Sequence, residues 1–220
     1  FDSGPLISFS MNGIMDIVKK LKGIFRGKFL ITSEVKKEVI DTPLRIKKFE
    51  LEALKIKTLL DDGILELPGS LGISDSEIEK ADNEMLAIAN STFNGGGREI
   101  NILDHGEASC LALSKILTSR GIKNVIAIDE RTTRLLAERP EELKSIFQER
   151  MNTKISIKTQ NLKLFKDFRI IRSAELAYVA YKKNLLDIKN TLLLDALLYA
   201  LKFKGAAISG DEIEQIKRIG

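Results

Sequence analysis

A chain of 220 residues, 44% apolar and 30% charged, can bury a sizeable core and has ordinary globular composition. Its one cysteine, Cys110, excludes an internal disulfide framework, and one cysteine with one histidine, His105, argues against a zinc site of soft ligands. The net charge of +4 is unevenly placed: residues 1–150 hold 22 basic and 24 acidic side chains, residues 151–220 hold 13 and 7.

No apolar run reaches the roughly 18 residues of a membrane helix, so no membrane partner is expected and the cytoplasm is the default compartment. The sequence begins FDSGPLISFS, without methionine. This reads as the end of a buried first strand cut short, then a tight turn at Gly4-Pro5 with Asp2 just before it. Apolar spacing at Ile14, Ile17, Val18 and Leu21 predicts a helix over 11–25, weakened by Gly13 and Gly23. KFLIT at 28–32 predicts a short strand, and Ser33 caps a helix through SEVKKEVI. Pro43 interrupts; a further helix ends near Gly63, ILEL at 64–67 is a strand, and residues 74–94 form an amphipathic helix. The glycines at 95–97 read as a mobile connector.

A helix is expected over 105–119, ended near Gly121. NVIAID at 124–129 is the clearest strand, followed by a helix from ERTTRLLAE, and ISI at 155–157 is a candidate last core strand. Strands alternating with helices predict a parallel sheet covered on both faces. From about 160 the pattern turns helical, with IRSAELAYVAYKKNLL, TLLLDALLYALKFKG and EIEQIKRI. The division expected is a core over 1–159 and a helical extension over 160–220 packed on it.

Four carboxylates stand where sites form in such folds, at strand ends and helix starts. Asp2 and Asp129 end strands, Glu107 lies in a first helical turn, and Glu38 borders core and solvent on its helix. Each has a bland alternative: an Asx turn for Asp2, a solvated face for Glu38, a capping box for Asp104 with Glu107, and a helix cap for Asp129. Together they would repel unless a hard divalent cation sat between them, and Mg²⁺ or Mn²⁺ suits oxygen donors. Such an ion activates water and neutralises charge on a phosphodiester. The four are therefore expected to serve as both catalytic and metal-binding residues, with Ser3, Asp104 and Glu130 auxiliary. Arg131 and Arg134 could touch phosphate, although surface pairing is their default. There is no GxxxxGK[ST] loop and no histidine set for serine chemistry.

The segments FDSGPLI, ITSEVKKEV, LDHGEASCLALS and VIAIDERTTRLLAE, in this order and spacing, resemble the PIN-domain family through about residue 140. The match is to archaeal members with a C-terminal helical extension. The resemblance implies a three-layer α/β/α fold around a central parallel sheet and Mg²⁺- or Mn²⁺-dependent endonucleolytic hydrolysis of single-stranded RNA. It assigns Asp2, Glu38, Glu107 and Asp129 as the four acids and Ser3 as the adjacent hydroxyl. Where relatives often carry a further acid, this chain has Ser109. Family members include toxin halves and RNA-processing enzymes, so an antitoxin or a processing partner is conceivable. The apolar helices over 172–201 suit a homodimer contact or packing on the core. The competing readings are a catalytically idle RNA-binding or assembly protein, a DNA-directed flap nuclease and a structural dimer partner.

Overall fold

The computed structural model describes residues 1–219 as a mixed α/β protein, mostly helical, with short strands. Its elements run α1 Ser3–Met11, α2 Asp16–Ile24, β1 Phe29–Leu30, α3 Ser33–Lys36, α4 Glu50–Asp61, β2 Leu65–Glu66, α5 Asp75–Asn90, β3 Phe93–Gly95, β4 Arg98–Glu99 and α6 His105–Ser119. They continue with β5 Ile126–Ala127, α7 Arg131–Glu138, α8 Pro140–Met151, β6 Ile155–Ile157, α9 Thr159–Leu162, β7 Ile170–Ile171, α10 Ser173–Lys182, α11 Leu193–Phe203 and α12 Gly210–Ile219. Among the described residues, no helix is long and apolar enough to cross a membrane.

Two parallel pairs, β1 with β2 and β5 with β7, lie on either side of the first two residues. The Phe1 nitrogen donates to Leu30 O at 2.6 Å, and the Asp2 amide donates to Ala127 O at 2.8 Å. Asp2 thus leaves a buried extended segment and becomes the N-cap of α1, accepting from the Gly4 amide at 3.2 Å. The helix expected over 11–25 is shorter, α2 at Asp16–Ile24, and the residues read as a tight turn at Gly4-Pro5 are instead the first turn of α1. Gly13, whose φ of +69° is left-handed and favours glycine, separates the two helices.

The ISI segment is a strand, but not a parallel core one. As β6 it pairs antiparallel with β3, which also pairs with β4, so the glycine connector is a hairpin. Gly96 and Gly97, both at positive φ, make the reversal. Helix α8 packs on this ladder, with Phe147 edge-on to Phe93 at a centroid distance of 5.5 Å.

The segment after 160 is more than a helical addition. It supplies β7, and α10 then packs on α1 and α2. Leu194, Leu197, Leu198 and Leu201 bury one stripe of α11, and Ile213 and Ile216 anchor α12 beside it. One apolar cluster runs from Leu6 to Ile216, so both halves share a core.

Candidate acidic site

Helix α6 organises the site. Its core face, from Ala108 through Leu117, is almost wholly buried against α5. Its N-terminus carries the capping box expected from sequence. The Asp104 carboxylate accepts from the Glu107 amide at 3.2 Å, and Glu107 Oε2 accepts from the Asp104 amide at 2.9 Å.

Glu38 reaches the same spot from a π-helical turn over Lys37–Asp41 that follows α3. Such widened turns are uncommon and frequent at functional sites. The convergence is measured at Gly106. A Cβ there would stand 2.9 Å from Glu38 Oε2, 3.2 Å from Asp104 Oδ1 and 3.8 Å from Asp2 Oδ1. Only glycine leaves this space open.

The electrostatics follow from burial and crowding. Asp2 is 4% exposed. Burial pushes its carboxyl up to about 6, against the Gly4 and Ser3 amides that lower it, and the charge of Glu38 adds to the rise. Glu38 is raised by partial burial and by the charge of Asp104, while the Ser3 hydroxyl opposes this. Asp104 and Glu107 share a hydrogen bond and act as one titrating pair: burial pushes Glu107 up, and the bond to Glu107 holds Asp104 down.

Asp129 flanks Gly4 opposite Asp2: a Cβ on Gly4 would stand 3.2 Å from Asp129 Cβ and 3.5 Å from Asp2 Oδ2. It is 4% exposed, and both its carboxylate oxygens are hydrogen-bonded. Oδ2 accepts from Ser8 Oγ at 3.1 Å, and Oδ1 accepts from the Ser173 amide at 2.7 Å. It ties α1 to the start of α10. Glu130 caps α7, its Oε2 accepting from the Thr133 amide at 2.6 Å. The arginines expected at phosphate are likewise engaged: Arg131 pairs with Glu142 at 3.2 Å, and buried Arg134 with Glu212 at 3.0 Å.

Two nearby groups were missed or undervalued by sequence reasoning. Asp82 is buried, and its Oδ2 stands 2.7 Å from His105 Nδ1. Its other oxygen is buried without a partner. The signal existed: Ile78, Asp82, Met85 and Ala89 fall at helical spacing on the buried face of α5, where an aspartate needs a reason. Ser109, in place of the additional acid, bonds Thr32 Oγ1 at 2.7 Å and the Gly106 carbonyl at 2.8 Å. It locks the cap of α3 to α6. Cys110 is buried, which pushes its thiol up and leaves it inert at neutral pH.

Asp2, Glu38, Asp104 and Glu107 are hard oxygen donors gathered at one rim, a donor set that fits Mg²⁺ or Mn²⁺. As they stand, no three histidine, cysteine, aspartate or glutamate side chains among the described residues are arranged around a metal position. Ligation requires Glu107 and Asp104 to exchange their mutual bond for the ion. The chain matches no protein-family model, no curated protein and no solved structure. Function is therefore a matter of this geometry and its chemistry.

Proposed function

We propose that the protein is a divalent-metal-dependent endoribonuclease of PIN-like α/β/α architecture that cleaves single-stranded RNA. The observation that carries this is the convergence of Glu38, Asp104 and Asp2 on the open space at Gly106. The backbone supports the architecture. With residues 1–2 bonded to Leu30 and Ala127, the segments fall in the row β2, β1, 1–2, β5, β7. That order supports a central parallel sheet with the N-terminal segment as its middle member, which would put the acids at its carboxyl end.

Bound Mg²⁺ or Mn²⁺ would be held by Asp2, Glu38 and the Asp104–Glu107 pair, and would supply water activation and neutralisation of phosphate charge. The chain's own residues do the rest. Asp2 is fixed by the α1 cap and buried backbone, so its carboxylate does not wander. The Ser3 hydroxyl orients Glu38. The Asp104–Glu107 pair, with Glu107 raised by burial, holds a proton that a bound cation would displace, so affinity would rise with pH.

Cleavage of a single-stranded oligoribonucleotide in Mn²⁺, abolished by EDTA and by Glu38→Gln, is the expected result. Unchanged cleavage by Glu38→Gln, in protein free of contaminating nuclease, overturns the assignment.

A second reading has its own support. With Asp129 hydrogen-bonded to Ser8 and Ser173 and Glu107 closed into a capping box, the same residues suit a catalytically idle RNA-binding or assembly protein. RNA binding in EDTA without turnover in Mn²⁺ distinguishes it.

A further inference from the structure

A second polar cluster lies between α7, β7, α10 and α12. Arg134 and Arg172 are 8% and 7% exposed. Glu212, in the first turn of α12, bridges them: its Oε1 accepts from Arg134 Nη1 at 3.0 Å and from Arg172 Nη1 at 2.7 Å. Its Oε2 accepts from the Ser209 amide at 2.8 Å. Arg172 also pairs with Glu175. A cavity of about 370 Å³ opens here, lined among others by Arg134, Glu138, Arg139, Arg172, Glu175 and Glu212.

Arg134 is the anomaly. Its Nε is buried without any partner. A guanidinium offers a planar fork matched to an oxyanion that can take two parallel hydrogen bonds. Arg172 is also met by Glu175 through Nε and Nη2, so Arg134, which has one bond to the shared Glu212 oxygen, is the under-satisfied guanidinium. A tetrahedral oxyanion with three or four acceptor oxygens could take the place of Glu212 at both arginines and complete the hydrogen bonding of Arg134. Both arginines follow strands at the carboxyl end of the sheet, Arg172 directly after β7 and Arg134 in the first turn of α7 after β5.

We propose that Arg134 and Arg172 form a binding site for a phosphate group, held shut by Glu212 of the C-terminal helix as an internal substitute for the anion. Entry of phosphate lifts the first turn of α12. With Glu212 withdrawn, the named lining holds three basic and two acidic side chains instead of three of each. The phosphate can belong to a nucleic-acid backbone or be free in solution. Only the backbone case rests on the nuclease reading, and the site itself requires no hydrolysis at the acids.

The test compares thermal unfolding of the full chain and of Glu212→Gln in inorganic phosphate and in chloride at matched ionic strength. Glu212→Gln should lose stability in chloride and regain it saturably in phosphate, by roughly 5 °C or more at a hundredfold excess over Kd. Because phosphate stabilises folded proteins generally, Arg134→Met/Glu212→Gln is the control and should lose the saturable gain. An equal gain in the double variant, or no gain in Glu212→Gln, overturns the site.

Should Glu212→Gln fail to fold in either salt, the unaltered chain decides. Phosphate should increase proteolytic cutting between 205 and 215 severalfold over chloride, and equal cutting overturns the proposal. Anisotropy with a single-stranded RNA 12-mer in EDTA separates the sources. Binding tightened about tenfold by Glu212→Gln and competed by free phosphate assigns the backbone; phosphate stabilisation with unchanged RNA affinity assigns free phosphate.

Discussion

At the scale of single residues, Asp2 and Asp129 are equally buried and both raised by burial, and their hydrogen-bond partners set them apart. Asp2 ordinarily titrates near 3.8 and is raised to about 6 in the folded chain, first by burial. A raised folded value means the metal-free fold binds the extra proton more tightly than the unfolded chain does. The penalty from Asp2 is absent below its unfolded value, develops between pH 3.8 and about 6, and is complete above that. A shift of this size corresponds to on the order of 3 kcal/mol. Asparagine keeps the α1 cap and removes the charge. Metal-free Asp2→Asn should therefore unfold at higher temperature than the unaltered chain at pH 8 and at nearly the same temperature at pH 3.5, read by calorimetry. Equal stability at both pH values would mean the carboxylate is better solvated than its burial suggests.

Asp129 is likewise raised by burial, but the Ser173 and Ser8 bonds oppose the rise and give it a second, structural part. Its two hydrogen bonds join α1 and α10, so removal leaves a buried amide and hydroxyl without partners. Asp129→Ala should cost about 2–4 kcal/mol in urea unfolding. Asp129→Asn, which can still accept from Ser173, should cost less than about 1 kcal/mol. Loss of cleavage in this stable variant would keep Asp129 in the catalytic set with Asp2, and unchanged cleavage would leave it a structural tie. Gly106→Ala probes the cluster from the other side. Alanine suits a helix, but its Cβ would press on Glu38 and Asp104. Mn²⁺ affinity measured by calorimetric titration should fall about tenfold while the circular dichroism spectrum stays unchanged.

At the scale of elements, what was legible in the sequence followed hydrophobic period and capping chemistry. Helix α6 lies at 105–119 as read, with its capping box, because Asp104, Glu107 and an unbroken apolar run leave little choice. Four strands were legible in place and not in partnership, while β3, β4 and β7 were not read as strands. ILEL and KFLIT pair parallel as β2 and β1, but ISI joins an antiparallel hairpin that three glycines had concealed as a connector. Pairing depends on distant residues, and short apolar runs carry no label for their neighbours.

The candidate site was legible where local rules place a carboxylate at a helix start, as at Glu107; Asp2, read as ending a strand before a turn, instead caps α1. The site was not legible where a carboxylate's direction is set by a residue far along the chain, as Ser173 does for Asp129. Ser109 shows how an element junction resists substitution. It is buried and bonded to Thr32. Ser109→Asp, which restores the acid the resemblance leads one to expect, buries a charge beside Asp2 and Glu107 with no cation partner. A loss of more than about 3 kcal/mol without metal is expected, partly recovered in Mn²⁺. Equal stability with and without Mn²⁺ would place position 109 outside reach of the ion.

At the scale of the whole molecule, the division into a core over 1–159 and an extension over 160–220 meets a structural objection. Residues beyond 160 supply β7 to the parallel pair with β5, the amide that receives Asp129, and the helix that covers α1 and α2. The apolar cluster continues through Ala174, Leu198 and Ile213 without a gap. Removing 160–220 would expose the backbone edge of β5, leave the Asp129 carboxylate buried in a broken pocket, and uncover Leu6, Ile17 and Leu21 on the first two helices. Each is a mechanism of large destabilisation on its own, and together they exceed the about 5–15 kcal/mol that holds a typical domain folded. A chain ending at 159 should therefore lose cooperative unfolding and aggregate, whereas a chain ending at 208, which removes only α12, should stay folded with a lowered melting temperature. A monomeric, cooperatively unfolding 1–159 fragment would show that the N-terminal part carries its own core, and that the later helices and strand are an addition after all.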